Sequence, residues 1–472
     1  MNKTYKTYNT IIVGAGLSGL SLAWFLFRQN PDHRTLLLEK EKRVGGAVRT
    51  YREGGFLVEG GPHGFLDNCP ESISLLKDIG LDHIVQQAPL ELFSRYICKE
   101  SRLHRIPLEP FPCLKTKILG PQAKFRLLAD LWKKPLSGEP SVKNWAEYRF
   151  GAGILPLVDA ALTGTFSGDP ERIKIDAIMP GLRRLERQHG SVLMGLFKKE
   201  FTVYDKQKSN KIPAMQNFPE GMEQLILTLT GQLLNSAEHC DLRFDHEVRS
   251  FCRHGKLWEI TGPDNVYYCN NLVLALPVNA SLRIINKNDQ VNPPPITALP
   301  VARIVNVALG YPDTGQFPAG FGYLAPEQEK RFALGAMFSN NMFPGRSPRG
   351  HVLLEVLVGG RRHPERVRMD DEELLANVLQ DISQLLPISS DPVFSKIIRA
   401  GSGIPQLEEG YLGLLEWQKR VMVENPGLHI CGFGWGGIGI NDMIIEARRT
   451  VDSIVSDKRC GRDVDIPENI YF

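Results

Sequence analysis

Residues 10–19 read Thr-Ile-Ile-Val-Gly-Ala-Gly-Leu-Ser-Gly, and this stretch decides the fold. Its first four residues form an apolar run that is typical of a strand buried on both faces of a parallel sheet. A G-x-G-x-x-G turn follows, and residues 20–26 are then apolar at helical spacing. Strand, glycine turn and helix in this order predict the first half of a βαβ unit that binds a dinucleotide.

The three glycines of the turn have different roles in this interpretation. Gly14 permits the tight turn, Gly16 lets backbone amides approach a pyrophosphate, and Gly19 lets the helix pack closely on the sheet. The pyrophosphate would rest on the helix N-terminus, where unpaired N–H groups and the helix dipole favour an anion. We therefore expect the cofactor to contact Gly14, Ala15, Gly16, Leu17, Ser18 and Gly19.

A second apolar run, residues 35–38, predicts the next strand, and Glu39 follows at its end. A carboxylate at this point accepts hydrogen bonds from a ribose hydroxyl, and its charge disfavours a 2′-phosphate. We count the next residue, Lys40, among the cofactor-binding candidates as well. The complete βαβ pattern is much more specific than a G-x-G-x-x-G sequence alone.

Residues 40–50 carry an additional loop that an NAD-dependent dehydrogenase does not need. Its glycine pair, followed by a basic residue, suits a longer flavin dinucleotide and resembles the extended fingerprint of FAD-dependent amine oxidases and their relatives. Residues 56–64 resemble the loop that runs past the flavin ring in that superfamily. The resemblance implies that FAD contacts Gly46, Ala47, Arg49, Gly61, Pro62, His63 and Gly64.

Composition excludes several other classes of protein. The chain has 472 residues, which favours two to four domains, and its 42% hydrophobic and 23% charged residues argue against disorder. Lys and Arg exceed Asp and Glu by 56 − 53 = 3, too small an excess to indicate nucleic-acid binding. The eight cysteines show no metal-ligand spacing, so we expect no metal site.

The stretch of residues 92–145 interleaves basic and apolar side chains. Such a pattern is typical of contact with an anionic membrane surface or an anionic ligand, and equally of a solvated face over a core helix. No run reaches 18 apolar residues, and residues 1–9 are short and polar, without a targeting signal. We therefore expect a cytoplasmic protein whose contact with a membrane, if any, is peripheral.

Residues 164–172 read Gly-Thr-Phe-Ser-Gly-Asp-Pro-Glu-Arg, which by composition alone predicts a loop between helices. With the P-x-L-x-x-L-E pattern of residues 180–186 and the His-Gly-Ser of residues 189–191, this block resembles the oxygen-dependent, FAD-containing protoporphyrinogen oxidase family. Amine oxidases and carotenoid desaturases lack this block. Matching motifs recur from residue 10 to about 450, so the resemblance covers nearly the whole chain.

The resemblance implies a reaction carried by the flavin rather than by a protein nucleophile. In three two-electron steps a porphyrinogen becomes a porphyrin and molecular oxygen becomes hydrogen peroxide; each hydride leaves a meso carbon for flavin N5. Apolar strands near residues 321–358 would form a flat pocket, although these side chains could equally be core. The implied substrate-binding residues are Arg95 for a propionate, then Leu324, Met337, Leu357 and His63, where some members have Arg.

Residues 428–442 form a second strand, glycine cluster and helix start, which again suits an anion at a helix N-terminus. We expect this segment to fold back onto the first glycine turn and close the flavin site from both ends. The resemblance implies flavin contacts at Ile438, Gly439 and Ile440 and an adenine contact at Val248. No Cys follows the Gly436–Gly437 pair, so we expect FAD to bind non-covalently.

The expected fold class is α/β: a Rossmann-like FAD-binding domain, a mixed-sheet substrate domain and a helical membrane-facing domain. Residues 1–85, 211–280 and 401–472 are assigned to the FAD domain, residues 86–210 to the helical region and residues 281–400 to the mixed sheet. Three alternatives stay open: a coproporphyrinogen oxidase, another flavoenzyme such as an amine oxidase or carotenoid desaturase, and a flavin-free binding protein of the Rab escort type. The sequence is compatible with a homodimer but does not require one.

Overall fold

The computed structural model describes residues 7–89, 94–106, 118–202, 213–235 and 240–456. Its helices are α1 (Leu17–Gln29), α2 (Pro70–Asp78), α3 (Pro121–Leu127), α4 (Val142–Phe150), α5 (Leu155–Phe166), α6 (Ile175–Ile178), α7 (Pro180–His189), α8 (Val192–Thr202), α9 (Glu223–Asn235), α10 (Val278–Ile285), α11 (Ser339–Met342), α12 (Asp371–Ser383), α13 (Tyr411–Glu424) and α14 (Ile440–Ser456). Its strands are β1 (Thr7–Val13), β2 (Thr35–Leu38), β3 (Thr50–Glu53), β4 (Phe56–Glu59), β5 (Phe65–Leu66), β6 (Gln86–Gln87), β7 (Arg95–Lys99), β8 (Arg102–Ile106), β9 (Met215–Asn217), β10 (Cys240–Arg243), β11 (Ser250–His254), β12 (Leu257–Thr261), β13 (Val266–Ala275), β14 (Val301–Pro312), β15 (Gly322–Leu324), β16 (Gly335–Phe338), β17 (His351–Gly360), β18 (Phe394–Arg399), β19 (Ile404–Pro405) and β20 (Leu428–Cys431).

A seven-stranded, Rossmann-like sheet contains the first glycine turn. Its order is β10-β2-β1-β13-β12-β11, with β20 also beside β13, and β10, β2, β1, β13 and β20 run parallel. Alternate side chains of the central strands enter two different cores: Ile11 belongs to one and Ile12 to the other. This two-sided burial is why the strand reads as a continuous apolar run.

The carboxyl ends of β1, β13 and β20 lie at one edge of this sheet. Val13 pairs with Leu274, and Leu274 pairs with Ile430 on the far side. Helices α1 and α14, which follow β1 and β20, pack against each other over the same core. The sheet therefore brings together two chain segments that are more than 400 residues apart in the sequence.

An eight-stranded mixed sheet forms the second layer of the fold, in the order β18-β14-β17-β16-β15-β7-β8, with β19 beside β14. One face packs against α12, through side chains such as Val307, Val356 and Val378. The opposite face turns toward the Rossmann-like part, where Phe56 packs on Ala308. The prediction of an α/β fold with a Rossmann-like parallel sheet and a second, mixed sheet is confirmed.

Two local predictions need correction. The helical region assigned to residues 86–210 contains β7 and β8, which extend the mixed sheet by pairing with β15. A bias toward basic and apolar residues does not reveal strand pairing with a segment so distant in the chain. The alternation of Leu242, Phe244 and Val248 also favours a strand over residues 241–248, but β10 ends at Arg243, and Asp245 adopts a left-handed conformation with φ of 52°.

Part of the predicted loop before residue 172 is helical, because α5 continues to Phe166. Gly164 weakens the local helix propensity. Its missing side chain nevertheless allows close packing, since a Cβ atom there would lie 2.8 Å from Leu324 Cδ1. Tertiary packing on the mixed sheet therefore outweighs the local preference for a turn.

The helical region has a charged core of its own. The fully buried Arg149 contacts Asp130 at 3.0 Å and Glu186 at 2.8 Å. Arg183 also pairs with Glu186, and with Asp176 at 3.0 Å. Across the described ranges, no helix is long and apolar enough to cross a membrane.

Candidate active site

The first glycine turn leaves open space at the N-terminus of α1. A Cβ atom on Gly14 would lie 2.7 Å from the Ala275 carbonyl oxygen, and one on Gly19 would lie 1.9 Å from the Gly14 carbonyl oxygen. These two positions therefore need glycine for packing. A Cβ atom on Gly16 would meet no atom within 4 Å. A side chain at position 16 would therefore fill space beside the helix N-terminus, and glycine leaves this space as a cradle for a group such as a diphosphate.

Glu39 connects this turn to the end of β2. Its carboxylate accepts hydrogen bonds from the backbone N–H groups of Ala15 at 2.8 Å and Glu41 at 3.0 Å. The sequence predicted a ribose contact, whereas here both oxygens are held by the protein; each still has a lone pair for a hydroxyl donor. Lys40 is exposed and lies 3.3 Å from the Glu41 carboxylate.

Two further loops pack on the first turn in layers. The Gly45 N–H donates to the Ala15 carbonyl oxygen at 2.8 Å. A Cβ atom on Gly61 would lie 2.1 Å from the Ala47 carbonyl oxygen, so the loop of residues 60–64 rests directly on the loop of residues 45–49. Arg49 is exposed, and its guanidinium lies 4.6 Å from the Tyr51 ring centre.

The second glycine turn reaches the same edge of the sheet. Leu276 lies between the two turns. A Cβ atom on Gly14 would lie 2.8 Å from the Leu276 side chain, and a Cβ atom on Gly432 would lie 2.7 Å from the Leu276 carbonyl oxygen. Since the ends of β1 and β20 are separated only by β13, they lie about 10 Å apart. At the start of α14 the Gly439 N–H donates to Asp442 Oδ2 at 2.9 Å, and Ile440 is buried.

The segment after β10 encloses the opposite side of Glu39. The Glu39 N–H donates to the Arg243 carbonyl oxygen, and the His246 N–H donates to the Glu39 carbonyl oxygen at 2.8 Å. Val248 follows and is buried in the same core as Val13. The contact of Val248 with an adenine stays a prediction.

The predicted substrate residues lie on one face of the mixed sheet. Strand register aligns Arg95, Gly322, Met337 and Glu355 in one row across four strands. The next row on that face contains Ile97, Leu324, Gly335, Leu357 and Asn306.

Leu324, Met337 and Leu357 are half-buried, whereas most of their neighbours along the strands are buried. Leu324 packs with Ile97 beneath α5, and Met337 packs with Phe321. Their partial exposure distinguishes these three side chains from the core on the other face of the sheet. Half-burial is compatible with both the core and the pocket interpretations of these residues, so the pocket stays a prediction.

Arg95 lies in the first of these rows, on β7, between Gly322 of β15 and Ile106 of β8. The residue is exposed, and desolvation lowers the pKa of its guanidinium. An exposed guanidinium on the apolar face can pair with a carboxylate. Its contact with a substrate propionate stays a prediction.

Sequence analysis missed a buried polar cluster between the flavin-type loop and the mixed sheet. His63 Nε2 lies 3.0 Å from Glu355 Oε2, and Glu355 is 1% exposed. Asn306 donates to the same oxygen at 2.7 Å, and Ser339 donates to Oε1 at 2.6 Å. The signal in the sequence was a single Glu inside the otherwise apolar strand β17.

A second buried carboxylate, Glu59, lies behind this cluster. It accepts hydrogen bonds from Thr50 at 2.8 Å and Asn217 at 2.9 Å, and Arg346 lies 3.5 Å away. Asn217 also donates to the His63 carbonyl oxygen at 2.9 Å. Glu59 therefore fixes the backbone that carries His63.

Burial and pairing shift the ionisation of these groups in different directions. Burial pushes the pKa of His63 down, but the charge and hydrogen bond of Glu355 outweigh it, so the pKa lies above its usual value. Burial pushes the pKa of Glu355 up, but His63, Ser339 and Asn306 bring it below its usual value. Burial raises the pKa of Glu59 despite the nearby Arg346.

The residues around Gly16 fit a dinucleotide. The open cradle, the helix N-terminus and the Glu39 carboxylate at the end of β2 have the arrangement that such a ligand requires. Among the described residues, no group of His, Cys, Asp and Glu side chains could hold a metal ion.

Residues 17–455 match the flavin-containing amine oxidoreductase family, and the chain belongs to this family. Membership implies FAD as the cofactor and makes the protein an FAD-dependent oxidoreductase.

The chain is 26% identical to protoporphyrinogen oxidase 2 of Arabidopsis thaliana, over 96% of this chain and 95% of that protein. It is 24% identical to the coproporphyrinogen III oxidase of Staphylococcus aureus, over 96% of this chain and 100% of that protein. Among solved structures, a candidate protoporphyrinogen oxidase from Exiguobacterium sp. 255-15 superposes with a TM-score of 0.80 at 21% identity, over 96% and 100% of the two chains. That structural likeness supports the fold.

Proposed function

We propose that this protein oxidises protoporphyrinogen IX to protoporphyrin IX in haem biosynthesis, with molecular oxygen as acceptor and hydrogen peroxide as product. The observation that carries the proposal is the convergence of two distant glycine turns in a fold whose mixed sheet has a half-exposed apolar face that includes Arg95. The names of its relatives support a porphyrinogen as the substrate.

The residues divide between holding the cofactor and holding the substrate. The three layered loops and the start of α14 would hold FAD, with the diphosphate at Gly16 and the ribose at Glu39. When bound, FAD supplies the hydride acceptor for the substrate. The chain itself must exclude water and keep the substrate's reacting carbon in place, and neither task needs a protein nucleophile.

The mixed-sheet face would bind the macrocycle. Leu324, Met337 and Leu357 offer a flat apolar surface, and Arg95 would pair with a propionate. A charge-assisted pair of this kind contributes about 1.5–3 kcal/mol. Coproporphyrinogen III is the second candidate substrate, because the Staphylococcus aureus relative matches this chain over its whole length.

Aerobic assays with the purified, FAD-loaded protein test the proposal. Porphyrin fluorescence and peroxide would be followed with protoporphyrinogen IX, coproporphyrinogen III and a polyamine. We expect turnover of the porphyrinogens, fastest with protoporphyrinogen IX. Turnover of the polyamine but of neither porphyrinogen would contradict the proposal. A higher kcat/KM for coproporphyrinogen III than for protoporphyrinogen IX would identify coproporphyrinogen III as the preferred substrate.

A membrane-facing role for the helical region stays a prediction with one structural support. Phe125 and Trp132 are 77% and 78% exposed, and Lys124 and Lys134 lie in the same segment. Exposed aromatic and basic side chains together suit an anionic lipid surface. Residues 107–117, part of the predicted membrane-facing stretch, lie outside the described residues.

Cosedimentation with phosphatidylglycerol vesicles tests this prediction. We expect binding by the wild type and loss of binding by the Phe125→Ser, Trp132→Ser double variant. Equal recovery of both proteins in the supernatant would contradict it.

A further inference from the structure

We propose that His63 is the proton acceptor for the substrate's pyrrole N–H groups, and that Glu355 is the positioning residue that orients its ring. This inference rests on the proposed function and extends it, because the flavin-borne reaction accounts for the hydride but leaves the accompanying proton without a defined acceptor.

A proton acceptor must lie beside the substrate, and the position of His63 is consistent with this requirement. Gly64, the next residue, packs against Met215, since a Cβ atom there would lie 3.0 Å from Met215 Cε. Met215 in turn packs in the same cluster as Met337, one of the half-exposed residues of the pocket face. His63 thus lies where the flavin-type loop meets the proposed substrate surface, and 16% of its side chain is exposed.

The hydrogen bond to Glu355 fixes which ring nitrogen can react. Nε2 lies 3.0 Å from Glu355 Oε2, so in the neutral ring Nε2 carries the hydrogen and Nδ1 keeps its lone pair. Glu355 is itself held by Ser339 and Asn306, which restricts its rotation. A histidine oriented by a buried carboxylate is the arrangement that stabilises an imidazolium formed during proton transfer.

In each two-electron step a meso C–H bond breaks, and its hydride, with both electrons, would pass to the bound cofactor. A pyrrole N–H bond breaks, its proton forms a bond to His63 Nδ1, and its electron pair stays on the substrate as part of a new π bond. After the third step one remaining meso C–H proton moves to a pyrrole nitrogen, so that the product is the porphyrin, with two N–H groups and one hydrogen on each meso carbon. The imidazolium then returns its proton to water, which can reach the ring because 16% of the side chain is exposed.

The charges around His63 give the rate of oxidation a pH dependence of known direction. Burial lowers the pKa of His63, but Glu355 and Glu59 raise it by more, so the pKa lies above its usual value. Histidine accepts a proton only in its neutral form, so the rate of oxidation is expected to rise with pH through the pKa of His63.

The pH profile of kcat/KM separates this role from a structural one. For the wild type we expect a rising limb centred above pH 6.5. For Glu355→Gln the limb moves to lower pH, since the charge that raises the pKa is gone. For His63→Gln the limb disappears and kcat falls at least about 100-fold, as expected when a general base is removed.

His363→Gln is the matched control, because His363 Nε2 lies 3.0 Å from the Glu327 carboxylate, and 20% of its side chain is exposed. We expect it to leave the profile unchanged. The FAD content, read from visible absorbance, confirms that each variant is folded.

Histidine NMR of the FAD-loaded protein gives a readout besides activity. The chain has 11 histidines, so the His63 resonance can be identified by its absence in His63→Gln. It should titrate above 6.5 in the wild type and at lower pH in Glu355→Gln. An unchanged pH profile in His63→Gln, with wild-type kcat, would overturn the proposal and leave the proposed function standing. A wild type that oxidises no porphyrinogen would overturn the proposed function first.

Discussion

At the scale of single residues, two glycines of the first turn lack a Cβ atom for different reasons: packing within the protein at Gly19, and access for a ligand at Gly16. Gly19 is required by the protein itself, because a Cβ atom there would lie 1.9 Å from the Gly14 carbonyl oxygen. A Cβ atom on Gly16 would meet no atom within 4 Å, so packing within the protein does not require glycine there. Our interpretation is that the backbone at Gly16 must be approached closely by the diphosphate.

A pair of alanine variants separates these two requirements. Gly19→Ala should lower the free energy of unfolding of the apoprotein by about 1–3 kcal/mol, since the new Cβ forces the helix away from the turn. Gly16→Ala should change that stability little but reduce the FAD retained on purification. Denaturant titration and flavin absorbance measure the two effects. Full FAD retention by Gly16→Ala would contradict the placement of the diphosphate.

The proposed pairing of Arg95 with a propionate predicts an effect mainly on substrate binding. Arg95→Ala should raise KM for a dicarboxylate porphyrinogen more than tenfold, because the propionate loses its charged partner, with a smaller change in kcat. Steady-state kinetics measures both. Arg102→Ala, an exposed arginine of the neighbouring strand β8, serves as the control. A KM unchanged by Arg95→Ala would remove Arg95 from the site.

Glu446 of α14 predicts a dependence of stability on pH. Burial raises its pKa to about 7, and its Oε2 atom is buried without a hydrogen-bond partner. The folded protein therefore holds the proton more tightly than the unfolded chain, and this contribution to stability is lost as pH rises from about 4.5 to 7. Glu446→Gln has no carboxyl group to titrate, so its stability should not fall in this way. The free energy of unfolding of the variant minus that of the wild type should therefore be up to about 3 kcal/mol larger at pH 8 than at pH 4.

Urea titrations of both proteins at several pH values measure this difference. Parallel stability profiles of the wild type and Glu446→Gln would show that the carboxyl group keeps an ordinary pKa in the folded protein.

At the scale of elements, Glu59 shows how one buried carboxylate joins several segments. It ends β4 and binds Thr50 of β3, Asn217 of β9 and the Met222 N–H before α9, with Arg346 as its cation. Arg346 is 2% exposed. Removing one partner of such a pair leaves the other charge buried without compensation.

Arg346→Met should therefore lower the free energy of unfolding by about 3–5 kcal/mol. The control is Arg52→Met, whose salt bridge to Glu220 is exposed and should contribute at most about 1 kcal/mol. Thermal or denaturant unfolding distinguishes the two. Equal effects of the two variants would contradict the importance of the buried pair.

The elements also show what sequence reasoning could and could not predict. The first βαβ unit was predictable because its signals are contiguous: strand, turn, helix and Glu39 follow one another within 30 residues. The position of β7 was not, since its partner β15 lies more than 200 residues away and pairing leaves no local pattern. The contact between His63 and Glu355 could not be predicted for the same reason, since the two residues are distant in the sequence. His63 lies in a glycine-rich stretch and Glu355 in an apolar one, and neither stretch indicates a polar partner.

At the scale of the whole molecule, the fold places a dinucleotide cradle and an apolar sheet face beside each other. The Rossmann-like sheet aligns the ends of β1, β13 and β20, so that residues from both ends of the chain surround one cradle. The mixed sheet is joined to this region through the hydrogen bond between Glu355 and His63. Under the proposed function, the cofactor and the substrate would meet at this junction.

Anaerobic mixing of the FAD-loaded protein with protoporphyrinogen IX tests this arrangement most directly. The flavin absorbance at about 450 nm should be lost as porphyrin absorbance appears, with up to three flavins reduced per porphyrin formed. Oxygen should then restore the flavin absorbance. A flavin band that stays unchanged in the presence of either porphyrinogen, in protein that retains its FAD, would contradict the account.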